Sequence, residues 1–278
     1  MTISIVTPCR NAAALLADTL ASLRGQSAVQ CGEVELQHIV VDGASTDNTR
    51  EVVAACPDVE LLSEPDSGMY DALAKGFVRA RGDVVGYLNA GDIYHPRAFE
   101  ILCEVFAAPG VDWATGYSVI VNDRQQMVSA WKPPRYRREF IENGTYLSGN
   151  RIPGIMQEST FWSRRLHGQI DLVRLRKFRA AGDYDLWLQF CDKAPLQSIW
   201  GVLGAFRIHS GQISENMGAY LAEIAPSLRP PTRRERFTAW WEFSCPQFLR
   251  GPASNFVLPP SPSRIFEFRA DSNKWMPR

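Results

Sequence analysis

Two short runs hold the residue types best suited to chemistry. In Val40-Val41-Asp42-Gly43-Ala44-Ser45-Thr46-Asp47, a carboxylate closes an apolar run and is followed by Gly and by Ser/Thr at a helix start. There Asp42 could accept hydrogen bonds from a ligand while the helix amides face it. The same residues equally suit a turn in which Asp42 and Asp47 only cap the helix. In Asn89-Ala90-Gly91-Asp92 a single carboxylate again follows an apolar run. One carboxylate cannot cage Mg²⁺ or Mn²⁺, but such ions commonly complete their shell with substrate phosphates and waters, so a metal at Asp92 requires a diphosphate ligand. Gly-Asp is also an ordinary loop dipeptide.

Several alternatives fall away. The four histidines form no HExxH, the six cysteines form no CxxC pair, and no GxxxxGK[ST], GxGxxG or GxSxG run occurs. Thirty Lys+Arg balance thirty Asp+Glu. A neutral chain has no global field to gather nucleic acid, so none is expected as a partner and any anion must be bound locally. No apolar run approaches the roughly 18 residues of a spanning helix, and Met1 to Val6 reads as a strand rather than a signal peptide, so the cytoplasm is the expected compartment.

The elements that must position these runs alternate. Ile3 to Thr7, Leu36 to Val41, Val59 to Leu62 and Val84 to Leu88 read as strands. Helical patterns separate them, which argues for βαβ units on a mostly parallel sheet flanked by helices. Asn11 is expected to cap the first helix, Gly25 to end it, and Ser45 or Thr46 to cap the second. Ligands of open α/β sheets sit beyond the carboxyl ends of the strands, where Pro8 to Asn11, Asp42 to Asp47 and Asn89 to Asp92 fall. The pattern then loosens: a helix from Arg97, strands near Trp113 to Val121 and Gln126 to Trp131, a polar stretch through Asn150, Gly154 to Trp162, a helix near Asp183 to Cys191 and a strand near Ile199 to Phe206. From Pro226 the composition shifts to a Pro/Trp/Arg-rich extension holding nine of the 18 prolines and nine Lys+Arg against four Asp+Glu. A helix near Arg233 to Phe248 would set Phe237, Trp240, Trp241 and Phe248 beside arginines, which suits a membrane interface or a partner surface, or a tail folded back over the body.

Ser4-Ile5-Val6-Thr7-Pro8, the Val40 to Thr49 run, Ser63-Glu64-Pro65-Asp66-Ser67-Gly68-Met69-Tyr70-Asp71-Ala72, Lys75-Gly76 and Tyr87 to Asp92 occur in an order and spacing that resembles family 2 glycosyltransferases of the GT-A fold, in particular bacterial members that build exopolysaccharide and other surface glycans. The resemblance is strong over residues 1 to about 95, patchy to about 215 and absent beyond. It implies a Rossmann-like α/β domain. Its donor-binding half would be 1–95, its acceptor and catalytic half 96–225, with 226–278 as an appended extension.

By the same resemblance, a UDP- or GDP-linked sugar lies across the first strands. Thr7, Pro8 and Arg10 would border the nucleoside, Asp42 would contact base or ribose, Asp71 and Lys75 would shape the pocket, and Asp92 would bind Mg²⁺ or Mn²⁺. Gly91 stands where many relatives carry Asp, and Asn89 would supply part of that binding. Ala181-Gly182-Asp183-Tyr184-Asp185-Leu186-Trp187-Leu188 resembles the segment holding the base of an inverting displacement, at Asp183. Gln157-Glu158-Ser159-Thr160-Phe161-Trp162 resembles an acceptor-side segment, which makes Glu158 the reserve base. Arg207-x-His209 with Gly211-Gln212-Ile213-Ser214 resembles a late loop whose imidazole can approach the metal. The acceptor implied is a growing glycan or a polyprenyl-linked oligosaccharide at the inner membrane face. A glycoside hydrolase with paired carboxylates and a non-catalytic scaffold are the competing readings.

Overall fold

The structure is a computed structural model describing residues 1–147, 152–209, 212, 215–245 and 261–278. Its strands in chain order are β1 (Thr2–Cys9), β2 (Glu35–Asp42), β3 (Val59–Ser63), β4 (Val84–Tyr87), β5 (Ile93–Tyr94), β6 (Trp113–Thr115), β7 (Ser118–Val121), β8 (Met127–Trp131), β9 (Thr160–Ser163), β10 (Gln197–Ile199), β11 (Gly204–Arg207), β12 (Ile265–Arg269) and β13 (Lys274–Pro277). One nine-stranded sheet runs β13-β12-β10-β6-β9-β4-β1-β2-β3, and a four-stranded sheet runs β5-β11-β7-β8.

The large sheet is parallel from β4 through β1 and β2 to β3. Both of its faces are covered, which is why these strands read as continuous apolar runs rather than alternating ones. Val6, Val41 and Tyr87 pack with Tyr70, Leu73 and Phe77 of the Met69–Arg79 helix. Ile3, Ile5 and Leu88 pack with Phe99, Leu102 and Val105 of the Ala98–Ala107 helix. Successive side chains of β1 therefore serve opposite layers.

Several expectations are corrected. β9 is antiparallel to both β4 and β6 and lies between them. The strand expected over 113–121 breaks after Thr115, and its second part joins the small sheet. The strand expected over 199–206 likewise divides into β10 and β11, one in each sheet. Asn11 does not cap the first helix, which begins at Ala13. With φ at 49° it sits in the left-handed region, and its Oδ1 accepts the Thr46 N–H at 2.9 Å. The second helix starts at Thr49, and Asp47 rather than Ser45 or Thr46 accepts its first N–H. The end of the 226–278 extension is part of the main sheet, because Ile265 and Phe266 are buried where β12 pairs with β10. The helix expected over 233–248 is helical from Arg233 to Ser244, ending in a wide π turn. Phe248, Gly211, Ile213, Ser214 and the end of the polar stretch at Asn150 lie outside the described residues.

Candidate active site

Asp183 begins the Gly182–Phe190 helix and is half-buried. Its Oδ1 accepts the Tyr220 hydroxyl at 2.8 Å, the Tyr184 N–H at 2.8 Å and the Tyr70 hydroxyl at 3.4 Å. Burial pushes its carboxyl up to about 6, and these three donors hold it from rising further. Gly182 has a packing reason here, since a Cβ would sit 2.5 Å from the Tyr70 ring. Tyr70 also donates to Ala180 O at 3.0 Å, so the ring fixes the turn that delivers Asp183.

Glu223 completes the support. Its carboxylate accepts the N–H groups of Arg179, Ala180 and Ala181 at 2.7, 2.8 and 2.8 Å. Tyr220 and Glu223 both come from the Met217–Ile224 helix, to which the sequence reading assigned no role. Tyr70 lay inside a quoted motif with no function attached. No periodicity in 217–224 marks a hydroxyl that reaches a residue 37 positions earlier.

Asp92 follows β4 and is nearly fully buried. Its Oδ1 accepts the Arg207 N–H at 2.9 Å, and its Oδ2 accepts Gln157 Nε2 at 3.3 Å. Burial raises its carboxyl to about 7 against these donors and the Asn89 side chain. Gly91 has φ of 109°, a conformation an Asp at that position would adopt only under strain, which accounts for glycine there. Asn89 Oδ1 is buried and has no hydrogen-bond partner among the described residues. Two positions beyond Arg207 is His209, half-buried, whose N–H donates to Gln212 Oε1 at 3.0 Å.

Within electrostatic reach of both aspartates is Glu158, fully buried, with neither carboxylate oxygen hydrogen-bonded among the described residues. Burial and then the charges of Asp92 and Asp183 drive its carboxyl well above the ordinary range. A carboxyl group sealed from solvent and raised in this way is a poor proton acceptor.

The donor-side residues are satisfied locally. Asp42 is fully buried and takes the Ser45 N–H at 3.1 Å, the Ser45 hydroxyl and the Ser63 hydroxyl at 2.7 Å. Thr7 is buried against His38 Nε2 at 2.9 Å, Pro8 is buried, and Arg10 is exposed. Lys75 bonds Pro65 O at 2.6 Å and pairs with Glu64 at 3.0 Å and Asp71 at 3.7 Å. Asp71 is paired with Arg176 too, at 3.4 Å. Burial opposes ionisation of Asp71, but the Ser67 N–H, Lys75 and Arg176 outweigh it and hold its carboxyl low. Asp71 and Lys75 thus brace the 64–68 loop against the start of the Met69–Arg79 helix.

The family model described as "Glycosyl transferase family 2" matches residues 4–166. The putative teichuronic acid biosynthesis glycosyltransferase TuaG of Bacillus subtilis is 26% identical over 225 residues, covering 77% of this chain and 82% of that protein. Other glycosyltransferases matched at 29% and 36% identity are spanned over only 48% and 34% of their own length. Among solved structures, S. aureus TarS in complex with UDP-GlcNAc superposes with TM-score 0.60 at 14% identity, over 93% of this chain and 76% of that one. The Pyrobaculum calidifontis mannosyltransferase in complex with GDP-Man and Mn²⁺ gives 0.57 at 18%, over 86% and 69%. The fold is the GT-A fold of such enzymes, a large mainly parallel sheet flanked by helices.

Proposed function

The chain belongs to glycosyl transferase family 2, and from that premise we propose that it moves a sugar from a nucleoside-diphosphate donor to a hydroxyl of a growing surface glycan or lipid-linked oligosaccharide, with inversion. What carries the reading is the Asp183 carboxylate, half-buried, triply hydrogen-bonded and poised at about 6. A general base works best with a pKa near the operating pH. In the displacement, Asp183 takes the acceptor's hydroxyl proton as that oxygen bonds the anomeric carbon. The bond from that carbon to phosphate oxygen breaks on the opposite face, and the nucleoside diphosphate leaves with the electron pair.

Asp92, the Asn89 Oδ1 and His209 offer hard oxygens and one imidazole, donor types that suit Mg²⁺ or Mn²⁺ and would hold such an ion. Among the described residues no group of three or more His, Cys, Asp or Glu side chains could hold an ion alone, so a cation here would need the donor's phosphates to complete its shell. A bound cation would supply charge neutralisation for the departing diphosphate. Thr7, Pro8, Arg10 and Asp42 would line the nucleoside end, Asp42 through its placement of the Ser45 turn, with Asp71 and Lys75 holding the adjoining loop. Among the described residues no helix is long and apolar enough to cross a membrane.

The test is thermal stabilisation by UDP, GDP and their sugars with and without Mn²⁺, followed by donor-dependent transfer with and without EDTA. Stabilisation by one nucleotide class and EDTA-sensitive turnover are expected. Hydrolysis of finished glycans without any nucleotide would refute the proposal, and unchanged glycan production by Asp183→Asn and Asp92→Ala in cells would favour a scaffold.

A further inference from the structure

The helical run 233–244 turns its charges and its apolar area in unusual directions. A capping box between Thr232 and Glu235 fixes its start. Its inward face is acidic: Glu235 pairs with Arg229 at 2.7 Å, and Glu242 with the buried Arg137 at 2.7 Å. Thr238 is buried, and Phe243 packs on Phe140 and Tyr146 with ring centroids 6.2 Å from each. With the inward positions taken by these ion pairs and by Thr238 and Phe243, two large rings face out while Trp241 is half-buried. Phe237 and Trp240 are 50% and 49% exposed. With Trp241 they form a cluster whose centroids lie 6.0 to 6.3 Å apart. Arg233, Arg234 and Arg236 are all exposed around it, and no carboxylate among the described residues pairs with them.

Exposed aromatics leave apolar area in water, and unpaired guanidiniums beside them select what can cover it. The combination of rings that settle at headgroup depth and cations that grip phosphate in two-pronged fashion matches a lipid surface bearing negative charge. We propose that this face docks on a membrane containing anionic lipids, with Phe237 and Trp240 entering the headgroup boundary and the three arginines meeting lipid phosphates. The surface lies beyond the family-matched residues and is separate from the transfer chemistry. The preceding helix of the same stretch supplies Tyr220, which links the docking face along the chain to the candidate base.

Flotation of the full chain on phosphatidylcholine vesicles, with and without phosphatidylglycerol, tests this. Co-flotation is expected with the anionic vesicles and is weakened by salt. Arg233→Gln/Arg234→Gln/Arg236→Gln should lower partitioning on the order of 100-fold, at about fivefold per basic residue near such a surface. Phe237→Ser/Trp240→Ser should remove most of what remains, with melting and nucleotide stabilisation unchanged because these residues are exposed. Should the double variant melt early, Trp240→Ser alone reads the same effect. No flotation, equal flotation on neutral vesicles, or variants that float like the parent would overturn the proposal. So would a stable dimer in light scattering that Trp240→Ser dissolves, since a second copy would then be the occupant. Nucleotide binding is read separately, so failure here leaves the transfer reading standing, and the reverse.

Discussion

The loops after β1 and β2 hold their polar groups through their own turns and through each other, all within the first 63 residues, whereas the pocket around Asp183 is assembled from across the chain. Asp42 is tied to Ser45, three residues on, and Asp47 to Thr49, two residues on. Asp183 depends on Tyr70, 113 positions earlier, and Tyr220, 37 later, while Asp92 takes its N–H from Arg207, 115 positions away. The first arrangement is largely complete once β1, β2 and β3 have paired. The second exists only when every layer has docked, so its chemistry can be retuned from far away. On the proposed reading, a local frame for the donor beside a base held by long-range contacts would divide binding from proton transfer.

The sharpest break of that comparison is Asp183→Asn. If proton removal rests there, turnover falls about 10² to 10⁴-fold while nucleotide stabilisation persists; single-turnover kinetics with a bound-donor titration would show it. Asp92→Asn comes next. Loss of its charge should cost about 10² to 10³-fold in transfer and weaken Mn²⁺-dependent nucleotide binding, measured by calorimetry. Tyr220→Phe should leave the fold and donor affinity intact but remove one donor to the carboxylate. Activity requires the ionised base and therefore declines as pH falls through about 6. The variant's acid limb should move up by about one pH unit, read from the kcat profile; an unmoved limb would mean Tyr220 is only packing.

Much of this division could be read from residue order. The βα turns ending in Asp42 and Asp92 were visible because strand periodicity, Gly and Ser/Thr sit within a few residues of each other. Asp183 was visible only through resemblance, and Tyr220 and Glu223 not at all, because a hydroxyl meeting a carboxylate across two helices leaves no local pattern. The antiparallel β9 was equally hidden. Its run Thr160-Phe161-Trp162 looks like any buried strand, and direction is set by where the chain returns.

Two smaller effects sharpen the contrast. Glu158 is an acid whose value is raised by folding, so its contribution is present below the ordinary 4.5 and is lost as pH climbs above it. Glu158→Gln should therefore melt higher than the parent at neutral pH in metal-free buffer and flatten the decline toward alkaline pH, with donor binding little changed; a lower melting temperature at pH 7 would contradict the upward shift of its carboxyl. Ser63→Ala removes one of the donors to Asp42, the others remaining, and should cost about 1 kcal/mol in chemical denaturation.

The position of β9 has a consequence for synthesis on the ribosome. β4 ends at Tyr87, yet the neighbour that covers its free side does not begin until Thr160. At translation speeds of about 5–20 residues per second, the growing polypeptide carries an open hydrogen-bonding margin for roughly 4–15 seconds. Chaperone capture of nascent chains should therefore peak in this interval and drop once residues 160–163 have left the exit tunnel.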